Sequence, residues 1–145
     1  MMLHLIKLCV GVSSVEELEA WVREEKALAD QIGRPFEQTH VTRMVPNRGP
    51  ELLDGGSLYW VIKGEVAARQ ALQDIRPFVD GEGVRRCALV LEPEVLRVRP
   101  RPSRPFQGWR YLKASDAPPD LEGAASGVND MPEEMRRELM ALGLL

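Results

Sequence analysis

The sequence is poor in the residues that most often reveal a chemical activity. Its 145 residues include two cysteines, Cys9 and Cys87, and two histidines, His4 and His40. The cysteines lie far apart, so they form neither a C-x-x-C pair nor a disulfide framework. Neither histidine stands at metal-ligand spacing from a cysteine or a carboxylate. We therefore expect no metal site and no bound cofactor.

Long apolar runs are also absent, and this bears on location. No window approaches the roughly 18 uninterrupted apolar residues that a membrane span needs. The apolar start MMLHLIKLCVGVSS is interrupted by Lys7 and is followed by no small-residue cleavage site. We therefore expect a cytoplasmic protein with no membrane partner. Fractions of 44% hydrophobic and 28% charged residues indicate a globular chain, expected to form one domain over residues 1–145.

The hydrophobic pattern predicts an α+β fold. Strands are predicted at residues 3–10, 39–45, 58–62, 87–91, 95–99 and 108–113. Helical spacing predicts a long N-terminal helix over residues 15–32, capped by Ser13 or Ser14, a short central helix over residues 65–75, and a C-terminal helix from Asp130. We expect a mostly antiparallel sheet of five or six strands, with a hairpin joining residues 87–91 to 95–99. Residues 113–129 are expected to be a loosely structured connection.

Charge is distributed unevenly along the chain. The net charge is −3, yet residues 84–113 hold eight basic and two acidic residues, whereas residues 114–145 hold seven acidic and two basic residues. These two blocks either pair within the fold or leave a basic surface open to a ligand. An acidic segment that docks on a partner chain, as in an interaction subunit, is a further interpretation.

The basic block contains a pattern typical of nucleic-acid binding. Arginines at every second position of an extended chain share one face, and aromatic residues follow within ten positions. The candidate side chains are Arg97, Arg99, Arg101, Arg104, Trp109 and Arg110. Guanidinium groups neutralise phosphates and aromatic rings stack on unpaired bases, so the pattern indicates RNA, single-stranded nucleic acid or a nucleotide as partner. A solvated arginine face beside a core tryptophan is the structural alternative.

A second hypothesis places an anionic small molecule, a phosphate or carboxylate, where Lys63 and Gly64 lead into the predicted central helix. The free N–H groups at a helix N-terminus favour an anion, and Arg43 and Arg69 would add positive charge. This site would suit an enzyme or a sensor, although Ser57 lacks the G-x-S-x-G elbow of a hydrolase and no catalytic residue is assigned. An ordinary strand-to-helix turn is the alternative, and self-association into a homo-oligomer is left open.

Two segments carry a family resemblance, TRMVPNRGPELLDGGSLYWVIKG at residues 42–64 and RPFQGWRYLKASDAPPDL at residues 104–121. They resemble an uncharacterised family of bacterial proteins of about this length, and the resemblance covers nearly the whole chain. Because that family is a domain of unknown function, it implies no reaction, cofactor or site residue, but it implies a free-standing cytoplasmic bacterial protein. The chain is also similar, at the level of fold, to PUA-like and ASCH-like barrels, which bind RNA or nucleotides.

Overall fold

A computed structural model of the chain describes residues 3–121, which form a seven-stranded mixed sheet and two helices. The strands are β1 (Leu3–Leu8), β2 (Gln38–Thr42), β3 (Ser57–Ile62), β4 (Glu65–Val79), β5 (Arg85–Leu91), β6 (Leu96–Pro102) and β7 (Trp109–Lys113). The helices are α1 (Val15–Gln31) and α2 (Gly49–Leu53), and a 3₁₀ turn spans Ala114–Asp116. The predicted α+β class is confirmed, but the sheet is larger than five or six strands.

The strand order along the sheet is β2-β5-β4-β3-β1-β7, with β6 paired to β4. Strands β1 and β3 run parallel, with Leu5 opposite Leu58, whereas every other pair between the seven strands is antiparallel. A parallel pair requires a long crossover, and here α1, β2 and α2 supply it. The sheet is therefore mixed, with one parallel pair in a mostly antiparallel arrangement.

The predicted central helix over residues 65–75 is wrong, because this stretch is the first part of β4. Lys63 and Gly64 have φ values of 49° and 78°, the left-handed conformation that both central residues of a type I′ hairpin turn adopt. That turn sends the chain back along β3, with Glu65 opposite Ile62. Alternate side chains are then buried: Val66, Ala68, Gln70 and Leu72. The buried residues thus recur at every second position, as in a strand, and not at the helical spacing that the sequence also contains.

The hairpin predicted between residues 87–91 and 95–99 is also wrong. Strands β5 and β6 do not pair with each other, and both are antiparallel to β4. Strand β4 is 15 residues long, so its second part pairs with β5 while its first part pairs with β6. The Glu92-Pro93-Glu94 segment therefore carries the chain onward along β4 without reversing its direction.

Contacts between the two ends of the strand order show that the sheet curls. The indole Nε1 of Trp109 in β7 donates a hydrogen bond of 2.9 Å to the carbonyl of Met44, just beyond β2. The hydroxyl of Tyr111 accepts from the backbone N–H groups of Asn47 and Arg48, at 2.9 and 3.3 Å. Because β2 and β7 stand at opposite ends of the order, these contacts require a barrel-like closure.

The curled sheet has a hydrophobic cluster on each side. The inner core is covered by α1 through Leu18 and Val22, and it takes its other buried residues from β1, β3, β4, β5 and α2. The outer core comprises Ile6, Tyr59, Val61, Val66, Val98 and Leu112, with Phe106 and Ala117 packed against it. At the start of α1, the Ser14 hydroxyl accepts the Glu17 N–H, so Ser14 is the capping serine.

The C-terminal helix predicted from Asp130 lies outside the described residues, as does most of the connection at 113–129. The part that is described is ordered by backbone pairing with β6: the Arg99 N–H donates to Pro119 and the Leu121 N–H donates to Arg97. Among residues 3–121, no helix combines the length and apolar character that crossing a membrane demands.

Candidate nucleic-acid interface

The arginines of β6 do not share one face. Arg97 lies opposite Ala68, which belongs to the inner core, and Arg101 lies opposite Val66, which belongs to the outer core. A register shift between these two pairs separates the faces. Arg97 is also neutralised, since its guanidinium lies 2.6 Å from a carboxylate oxygen of Glu19 on α1. The ion pair between Arg97 and Glu19 therefore joins α1 to the sheet.

Arg69 is likewise engaged by the fold. Its guanidinium makes two hydrogen bonds of 2.8 Å to the carboxylate of Asp120 and a third of 2.8 Å to the Ser57 hydroxyl. The bonds from Arg69 lower the pKa of Asp120. The neighbouring His4 accepts the Ser57 N–H at 3.0 Å, and burial lowers its pKa. This group holds the chain after β6 against the sheet and pairs the charge of Arg69 with that of Asp120.

Eight arginines are exposed and have no carboxylate partner among residues 3–121, and four of these lie within residues 99–110. We call them, together with Phe106, the arginine face: Arg99, Arg101, Arg104, Phe106 and Arg110. Arg101 and Arg110 lie opposite outer-core residues, so both project from the outer side of the sheet. The Arg110 guanidinium stands 4.9 Å from the centroid of Phe106, a cation–π contact.

Lys7, which the sequence did not single out, lies at a junction of aromatic residues. It is opposite Trp60 in β3 and opposite Trp109 in β7, so the three side chains share the inner side of the sheet. The residue after Arg43 contacts this group, because the Met44 carbonyl accepts a hydrogen bond from the Trp109 indole. The signal that could have revealed Lys7 is its position as a charged residue within an otherwise apolar first strand.

The second hypothesis loses its physical basis. Lys63 occupies the exposed β3–β4 turn, where no helix begins, so the N-terminal anion site is absent. Arg69 is bonded to Asp120 on β4's outer side, and Arg43 lies in the connection that follows β2. The three residues therefore sit on separate elements, and the described contacts bring none of them together.

A buried polar network fixes Trp60 within the inner core. The Gln70 side-chain oxygen accepts from Trp60 Nε1 at 2.9 Å and from the amide of Gln38 at 3.2 Å. The Gln70 amide nitrogen donates to Gln38 at 2.7 Å and to the carbonyl of Glu92 at 2.8 Å. Gln70 thus uses all of its hydrogen-bonding capacity, which locks the indole in one orientation.

His40 stands at the edge of this network. Its ring meets Trp60 edge to face, with centroids 5.1 Å apart. Its Nε2 atom is buried without a hydrogen-bond partner. Burial, aided by the charge of Lys7, lowers the pKa of His40 to about 4, so the imidazole is neutral at physiological pH. Within residues 3–121, no three His, Cys, Asp or Glu side chains cluster as a metal site would require.

A curled mixed sheet with exposed arginines on its outer side and a buried polar network on its inner side defines an α+β protein. The chain belongs to the family described as Protein of unknown function (DUF1489), whose family model covers residues 5–145. This confirms the resemblance to a domain of unknown function. No curated protein and no solved structure matches the chain significantly.

Proposed function

We propose that the protein binds single-stranded nucleic acid through the arginine face. The observation that carries the proposal is the set of four exposed arginines without a carboxylate partner among residues 3–121. Phosphate groups attract such side chains, and the Phe106–Arg110 pair offers a surface on which an unpaired base can stack. The acidic pI of about 5.5 does not oppose this, because a ligand responds to the local surface potential.

The contrast with the arginines that carboxylates hold supports a binding role. Five arginines are held by carboxylates: Arg48, Arg69, Arg76, Arg86 and Arg97. The arginines of the arginine face follow Arg97 in the chain, yet none of them has a carboxylate partner within the described part of the chain. Unpaired charges of one sign repel each other and cost stability, so the concentration of four of them within residues 99–110 favours a function that uses them.

The proposal is tested by titrating the full chain with a fluorescein-labelled 12-nucleotide single strand, in both RNA and DNA forms, at several salt concentrations. Four phosphate contacts give a slope of log affinity against log salt of about −3, since each contact on a single strand contributes about −0.7. The variant Arg101→Gln should weaken binding and reduce the magnitude of the slope by about 0.7.

Arg76→Gln is the matched control, because Arg76 is also exposed but is held by Glu37 and Asp74. It should leave the affinity and the slope unchanged. Absence of binding at low salt, or equal loss in both variants, would refute the arginine face as the interface.

We also propose the cytoplasm as the site of action. Cys9 and Cys87 are both free, and burial raises the pKa of Cys9 to about 11, so its thiol is protonated and unreactive. Both cysteines then serve as small apolar residues, which a reducing compartment preserves.

A further inference from the structure

A groove lies between α1 and the segment that precedes β6. It encloses about 160 Å³ and is lined by Glu19, Val22, Arg23, Pro93 and Val95. Sites for drug-sized ligands and cofactors measure about 300–1,000 Å³, so this groove is too small for such a molecule. Val22, Pro93 and Val95 give it apolar walls, which suit the side chains of a packed protein segment.

The described chain ends beside this groove and points along it. Its last residues run antiparallel to β6, and the Leu121 N–H donates to the Arg97 carbonyl. In an antiparallel pair, each further residue of one strand lies opposite an earlier residue of the other. The direction of the chain at Leu121 therefore leads towards Val95 and away from Arg99 and Arg101. The ion pair that joins Arg97 to α1 spans the same gap.

Residues 122–145 supply a segment that fits the groove. One apolar stripe recurs in them at helical spacing: Met135, Leu139 and Leu142. Such a stripe is stabilised by burial against another element. Residues 122–130 extend to roughly 30 Å at most, whereas Val95 is two positions from the partner of Leu121, or about 7 Å of extended chain. The stripe is therefore within reach of the groove.

The charges beside the groove match those beside the stripe. On the α1 side, Arg23 and Lys26 are exposed and have no carboxylate partner among residues 3–121, and on the opposite side Glu94 is exposed. At helical spacing, Glu138 flanks one side of the stripe and Arg136 flanks the other. One direction of the stripe along the groove thus sets opposite charges against each other on both sides.

We propose that the apolar stripe of Met135, Leu139 and Leu142 docks within its own chain in the groove between α1 and residues 93–95. This inference goes beyond nucleic-acid binding and does not depend on it. It nevertheless bears on the arginine face, because a segment held against α1 keeps its carboxylates away from Arg99 and Arg101. The unequal charge blocks of the sequence are then separated in space and do not neutralise each other.

The test attaches a nitroxide spin label to the full chain through Met140→Cys and records ¹H–¹⁵N spectra before and after the label is reduced. Met140 lies off the stripe at helical spacing, so the label does not take the place of a docking side chain. Ala141→Cys, also off the stripe, serves where the first variant does not fold. Unaltered protein treated with the same reagent is the control for labelling of Cys9 and Cys87.

We expect the amide resonances of Val22 and Val95 to lose most of their intensity while the label is paramagnetic, and those of Arg104 and Arg110 to lose less. The largest losses at Arg104 and Arg110 would overturn the proposal and place the acidic segment on the arginine face. Losses confined to the labelled segment would overturn it as well. A mixture of labelled ¹⁴N protein and unlabelled ¹⁵N protein should show no loss in the groove, and a loss there would assign the groove to a second copy.

A charge exchange tests the matched pairs on the α1 side. Arg23→Glu should restore intensity at Val95, because the acidic flank of the stripe is then repelled, and adding Glu138→Lys should bring the loss back. Arg34→Glu is the matched control, because Arg34 is also exposed and has no carboxylate partner among residues 3–121, but lies beyond the end of α1. Equal effects of Arg23→Glu and Arg34→Glu would contradict docking in this groove.

Discussion

Replacing Gln70 by methionine tests the buried network that orients Trp60. Methionine has nearly the volume of glutamine but cannot hydrogen-bond in its place, so packing is preserved while four hydrogen bonds are lost. Trp60 Nε1 and the Gln38 amide are left buried without a partner, whereas the half-buried Glu92 carbonyl can turn to water. Each stranded group costs about 1–3 kcal/mol, so we expect a loss of roughly 2–6 kcal/mol.

The assay is urea denaturation followed by tryptophan fluorescence, with thermal melting as a second measurement. At about 2–4 °C per kcal/mol for a chain near this size, the midpoint should fall by roughly 8–16 °C for a mid-range loss of about 4 kcal/mol. Gln73→Met is the matched control, because Gln73 is an exposed glutamine on the same strand and should change stability by less than about 0.5 kcal/mol. Equal stability of the two variants would refute the network as a stabilising element.

Two further predictions concern the sheet and its histidines. Gly56→Ala should destabilise the fold by about 3 kcal/mol or more, because a Cβ there would stand 2.2 Å from the backbone oxygens of Leu3 and Leu52. Gly81→Ala is the control: Gly81 has open space around it, so this variant should be nearly neutral in the same denaturation assay. The pKa of His40 is about 4 in the folded state and about 6.5 in the unfolded state. As the pH falls, the unfolded chain therefore takes up a proton at His40 before the folded protein does. The free energy of unfolding that is present above pH 6.5 should decline as the pH falls towards 4. Urea denaturation at pH 7 and pH 5 should show a fall of about 1–2 kcal/mol from this group that His40→Phe removes; an unchanged pH dependence in that variant would contradict the assignment.

The arginine face depends on how the chain distributes its own carboxylates. Glu19 reaches Arg97 because α1 crosses the inner core, and Asp120 reaches Arg69 because residues 119–121 pair with β6. Neither contact involves neighbours in sequence. The eight basic residues of 84–113 are thereby divided into those that hold the fold together and those that stay exposed, and we expect only the second group to respond to nucleic acid.

Local pattern was sufficient for part of the architecture. The apolar runs around β1, β3 and β5 identified strands because strands that are buried on both faces are short segments rich in apolar, β-branched and aromatic residues. The pattern of residues 65–75 was ambiguous, since Ala68, Ala71, Leu72 and Ile75 fit a helical stripe while Val66 to Leu72 also alternate. The turn at Lys63 and Gly64 makes this stretch a strand, because it sends the chain back along β3. The sequence gives little sign of that turn, since lysine seldom adopts the left-handed conformation.

The sequence by itself determined the α+β class, the family, the apolar strands and the concentration of arginine before Lys113. Only the tertiary structure decided which arginines are neutralised, which strands are neighbours, and that Lys7 and His40 both lie beside Trp60. The physical reason is that helix and strand periodicity act over a few residues, whereas the pairing of β1 with β3, or of Arg97 with Glu19, joins residues some fifty or more positions apart. Such pairing follows from the packing of the whole sheet, and no short segment encodes it.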